Sequence, residues 1–171
     1  LLGCFHPLHN CVDNCIHSAA GLQLRNSCNE LMKTQGHEEP TGQAKITPAF
    51  HLPCKYVLHT VGPIVYGGLT AEDRALLASC YRSCLALAED NGCKSIAFCC
   101  ISTGVFGFPQ QEAAEIAVNT VNEFIENHPG ELDIVEWVLF DQATYDVYDN
   151  VLNQLTVSKI VHSPSFDRIN R

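Results

Sequence analysis

The chain has 171 residues, 46% of them hydrophobic, and a formal charge of −9. That length suits one domain with a substantial core, and an acidic chain without a basic stripe is a poor nucleic-acid surface. No apolar run is long enough to cross a bilayer and nothing resembles a secretory signal, so the expectation is a soluble, cytoplasmic protein. Of the ten cysteines, Cys80, Cys84, Cys99 and Cys100 fall inside apolar patterns, where free cysteine behaves as a small hydrophobe in a reducing compartment.

The first informative stretch is GCFHPLHNC, residues 3 to 11. Cys4, His9 and Cys11 supply zinc-type ligands from a loop that Pro7 keeps from being helical. Three ligands leave a fourth position for water or substrate, whereas His6 is a rival that would close the site. The alternative is a chance grouping on a surface loop. From Val12 the apolar residues Val12, Ile16, Ala20, Leu24 and Cys28 recur every fourth position, which predicts one helix to about Gln35 with Gly36 as its stop. Asp13 and His17 share a face of it, with Gly21 continuing the line. They face whatever the loop binds, or else Asp13 caps the helix and His17 is a partly buried, hydrogen-bonded residue.

AKITPAF and KYVLHTVGP read as strands. Thr70 with Asp73 makes a capping-box start for a helix that closes on Gly92. KSIAFCCIS predicts a strand over 95–101. Ser102, Thr103, Gly104, Val105, Phe106, Gly107 and Phe108 then lead to a helix with Pro109 in its first turn. A glycine-containing loop between a strand and a helix start offers backbone N–H groups to a phosphate, without needing lysine or arginine; an ordinary tight connection is the competing reading. DIVEWVLFD predicts another strand, and QATYDVYDNVLNQL a last helix. The alternation implies a largely parallel sheet with helices on both faces, residues 1–155 forming the domain and 156–171 an extension. GHEEP lacks the second histidine of a zinc-protease helix, and Pro53-Cys54 lacks the second cysteine of a zinc deaminase.

VDNCIHSAAG, TGQAKITPAFHLPCKYVLHTVGP, ISTGVFGFP and VLFDQATYDVY, in that order, resemble the core of a macrodomain, the ADP-ribose-binding α/β/α fold. GCFHPLHNC stands where most hydrolytic members carry a glycine-rich run, which resembles the zinc-dependent microbial branch. The resemblance implies a three-layer domain with a mostly parallel central sheet whose first strands would precede Leu1. It implies zinc on Cys4, His9 and Cys11, a diphosphate wrapped by Ser102 to Phe108, adenine against Phe140, and Asp13 as a catalytic residue near the diphosphate and distal ribose. The implied activity is hydrolysis of mono-ADP-ribose from modified, especially acidic, protein side chains, with a lipoyl-carrier protein as an associated substrate. The alternative is a non-catalytic ADP-ribose reader in which zinc only shapes the loop.

Overall fold

In the computed structural model, residues 11–155 are described together with the backbone of 160–164. Two helices open the described chain, α1 over Val12–Ala20 and α2 over Leu22–Gln35, where the sequence pattern predicts a single one. Gly21 divides them with φ 91° and ψ 178°, outside helical geometry. A Cβ there would stand 2.8 Å from His51 Nδ1, so the bend requires glycine on both backbone and packing grounds. Gly21 therefore ends the line of Asp13 and His17 instead of extending it.

Strands β1 (Ala44–Pro48) and β2 (Tyr56–Thr60) pair antiparallel, with Ile46 opposite Leu58. Their connection is too short for a crossover helix, so an antiparallel ladder is the accessible arrangement. Helix α3 (Ala71–Asp90) starts on the expected capping box: the Thr70 side chain accepts from Asp73 N–H, and the Asp73 carboxylate accepts from Thr70 N–H at 2.9 Å. Strand β3 spans only Ser95–Phe98, shorter than predicted, because Cys99 and Cys100 already lead into the following turn. Helix α4 (Gln110–Asn127) has Pro109 as its N-cap residue, and β4 covers Ile134–Leu139. Asp141 then caps α5 (Gln142–Asn153) by accepting from Thr144 N–H at 2.8 Å.

β3 and β4 run parallel, and β5 (Ile160–Pro164) adds in parallel on the other side of β4. The parallel part of the fold is thus this three-stranded sheet, with β1 and β2 forming their own pair. Part of the expected extension is a strand, because its backbone finds the free edge of β4. Helices α3 and α4 pack on each other, α3 also covers β1 and β2, and α5 covers β4 and β5. The main core joins Trp137, Tyr81, Tyr148, Phe98 and aliphatic residues of α3, α4 and α5. A smaller one joins Ala20, Leu24 and Cys28 under α1 and α2. No helix among the described residues is long and apolar enough to cross a membrane.

Candidate functional site

Past the carboxyl end of β3, residues 101–108 fold into a tight loop before α4. Thr103 N–H and Oγ1 reach Cys100 O at 3.5 and 3.1 Å, Gly107 N–H donates to Gly104 O at 3.0 Å, and Phe108 N–H to Ser102 O at 3.0 Å. The loop closes on itself. The N–H groups of Gly104, Val105 and Phe106 are left without a protein acceptor among the described residues. Successive amides of this kind, at a strand-to-helix turn, suit an anionic oxygen. Around Gly104 the space a Cβ would fill is open. Val105 and Phe106 present exposed side chains, but the Phe108 ring is 2% exposed and belongs to the core. Phe108 can serve this loop only through its backbone, which leaves Phe106 as the loop's solvent-facing aromatic.

Helix α1 carries Asp13 in its first turn. Its first turn begins at Cys11, an extended N-cap residue with no side-chain capping bond, so Asp13 is a first-turn acid and not the cap. Burial, reinforced by the Asp13 carboxylate, holds the Cys99 thiol above its ordinary value, which ties Asp13 to the start of the loop. Burial, then Cys99 and Asp141, push the Cys100 thiol up to about 12. β3 and β4 are parallel neighbours with Phe98 opposite Trp137, so the Cys99–Cys100 and Phe140–Asp141 steps leave the same end of the sheet, and the Asp13 charge reaches Cys99 there. Phe140 follows the last residue of β4 and is 75% exposed, leaving its ring open to stack on a planar group. Ligands of parallel α/β sheets bind at this end of the strands.

Behind Asp13 lies a buried polar cluster that sequence reasoning did not assemble. His17 is 1% exposed; its Nε2 is 3.6 Å from Asp13 Oδ1, and neither ring nitrogen has a hydrogen-bond partner among the described residues. The sequence alternative of a partly buried, hydrogen-bonded His17 gives way to a fully buried ring with no hydrogen bond among the described residues. His59 Nε2 meets Thr47 Oγ1 at 2.9 Å, and Cys28 Sγ lies 3.7 Å from the same nitrogen. Burial, then the neighbouring His17, lowers His59 to about 4; burial also lowers His17, against the pull of Asp13. Cys28 is raised to about 11, chiefly by burial and then by Asp13. Ligand atoms of His17, Cys28 and His59 lie within 4.8 Å of one another, so the three have donor chemistry for a soft metal. A neutral packed cluster, with His59 already bonded to Thr47, accounts for the same arrangement.

Of the metal ligands expected from sequence, Cys4 and His9, like their rival His6, lie outside the described residues. Cys11 is a half-buried free thiol at the start of α1, two residues from Asp13, a placement and donor type that fit a zinc ligand beside the loop. A second element that sequence reading passed over is the connection from β2 to α3. Val65 N–H donates to Phe106 O at 2.9 Å, and the next residue, Tyr66, is 81% exposed. The glycines and lone aromatic of TVGPIVYGG were the available signal.

An α/β domain with an amide-lined loop leaving a parallel strand offers an anion-binding turn at the strand end. Residues 4–117 match the Macro domain family, and the chain belongs to it. It is 58% identical over 153 residues to a protein-ADP-ribose hydrolase of Treponema medium, covering 90% of this chain. The chain spans 58% of the length of that curated relative. Among solved structures, the Oceanobacillus iheyensis macrodomain with ADP is 39% identical with a TM-score of 0.80, the match covering 90% of this chain and 77% of that one. The Trypanosoma brucei macrodomain in complex with ADP-ribose is 38% identical with a TM-score of 0.75, covering 88% of this chain and 58% of the other.

Proposed function

We propose that the protein is a zinc-dependent protein-ADP-ribose hydrolase that removes mono-ADP-ribose from acidic protein side chains. The observation that carries this reading is the self-closed 101–108 loop with its acceptor-free amides, following a strand end where the Asp13 charge acts on Cys99. The Treponema relative's name agrees with it. In this reading the amides of Gly104, Val105 and Phe106 hold the diphosphate within the span Ser102 to Phe108, and Phe140 lies against adenine. Asp13 accepts a hydrogen bond from the distal ribose or from the attacking water and orients it. Water then adds across the bond between the ribose anomeric carbon and the side-chain carboxylate: hydroxyl goes to carbon, and the proton to the released acid. Cys4, His9 and Cys11 would hold the zinc, which when bound supplies polarisation of an oxygen, a mild one because two thiolates offset its charge. The free thiols at every described cysteine support a reducing compartment such as the cytoplasm.

The test follows label loss from mono-ADP-ribosylated proteins, a lipoyl-carrier protein among them, incubated with the whole protein before and after chelation. Loss that stops on chelation supports the hydrolase. Tight ADP-ribose binding with no loss of label makes it a reader instead. Metal analysis separates the ligands: Cys11→Ala should empty the site and abolish hydrolysis, while His6→Ala should leave about one zinc per chain.

A further inference from the structure

The connection between β2 and α3 touches the candidate ligand loop at both of its limbs. On the entry side Gly62 is buried, and a Cβ built on it would overlap Ser102 Oγ and stand 2.8 Å from Ile101 Cγ2. Ser102 itself has φ 65°, a left-handed conformation that non-glycine residues seldom adopt, and its buried Oγ has no hydrogen-bond partner among the described residues. A serine in that conformation persists only when its surroundings over-determine it. On the exit side, Val65 N–H donates to Phe106 O at 2.9 Å, and a Cβ on Gly107 would meet Val65 O at 3.8 Å. The Ser102 side chain is thus packed onto the β2–α3 connection and does not point to solvent.

We infer that Gly62 is a positioning residue: the space left by its missing side chain seats Ser102 and, with the Val65 to Phe106 bond, holds the 102–106 backbone in the form that presents its amides. The ligand named in the test rests on the ADP-ribose reading above; the bracing itself does not. A methyl group at 62 displaces Ser102 Oγ from its seat and meets the Ile101 Cγ2 methyl, which is fixed to a β-branched carbon and can give way only if the Ile101–Ser102 turn shifts. Gly107 and Phe108 N–H, which bond across the loop, would then lose protection.

Two measurements on the whole protein test this with wild type, Gly62→Ala, and Gly62→Ala combined with Ser102→Gly. Ligand-free hydrogen exchange should speed up at Gly107 and Phe108 in the single variant, while amides of α4 beyond its first turns keep their rates. Calorimetric titration should show ADP-ribose bound at least about tenfold more weakly. Glycine at 102 removes the clashing Oγ and adopts φ 65° freely, so the double variant should recover part of both losses. Unchanged exchange in Gly62→Ala overturns the inference, as does a double variant no better than the single one. If Gly62→Ala does not fold, a double variant that folds and binds supports the seat, and one that also fails overturns it. Faster exchange in Gly62→Ala together with no ADP-ribose affinity in wild type supports the brace and sinks the ligand reading instead.

Discussion

The two cores of this domain are built from different materials. Between α3, α4, α5 and the parallel sheet, Trp137 packs on Phe98 and Tyr148 with ring centroids 6.3 and 5.6 Å apart, and aliphatic side chains fill the remainder. Under α1 and α2 the fully buried apolar set is Ala20, Leu24 and Cys28, and His17, His59 and Thr47 complete the interior. The first core draws its stability from apolar burial, which no proton alters. The second depends on two imidazoles staying neutral. The candidate site takes its amide loop from the first region and Asp13 from the second, so its two halves should respond differently to mutation and to acid.

The largest effect should come from breaking the apolar core. Trp137 is 0% exposed, and Trp137→Ala should cost about 3–5 kcal/mol, read as a lower denaturation midpoint with loss of the whole cooperative transition. A cost below about 1 kcal/mol would mean that the frame is not held as described.

Acid should act on the other region. His59 is lowered to about 4 and His17 is lowered as well, so the unfolded chain binds more protons than the folded one once pH falls below the ordinary histidine value of 6.5. Stability is therefore fully present above pH 6.5 and is lost as pH falls toward 4, His59 alone contributing on the order of 3 kcal/mol. Facing groups act in both senses: Asp13 favours the charged imidazoles, whereas Arg25 opposes protonation of His17. Denaturation at stepped pH values, with His59→Gln flattening the slope, checks this. An equal slope in the variant would remove the cluster from the explanation.

The smallest effect on stability should be at Phe140, whose ring is already in solvent. Phe140→Ala should change stability by less than about 0.5 kcal/mol yet weaken ADP-ribose more than ribose 5-phosphate, which has no base to stack. Equal weakening of both ligands would count against adenine contact there.

Much of this was legible in the linear chain, for a local reason. Helix α3 announces itself through Thr70 and Asp73, and Pro109 marks the start of α4, because each signal acts within the first turn. The loop of 102–108 could be found from its glycines between a strand and a helix, and Phe140 from its place after β4. What only the tertiary structure decided are contacts between residues far apart in sequence. Gly21 breaks a helix that periodicity continues, because His51 occupies the side-chain space there. The Phe108 ring turns inward to the core, and Ile160–Pro164 joins β4 although its sequence reads as a tail. His17, Cys28 and His59 each carry a local pattern, but their meeting depends on packing α1 and α2 over β1 and β2. Gly62 likewise looks like any turn glycine until Ser102, brought from forty positions away, fills its missing side chain. Propensity and capping act over a few residues along the chain, whereas steric exclusion and burial act across space and become defined only once the chain has folded.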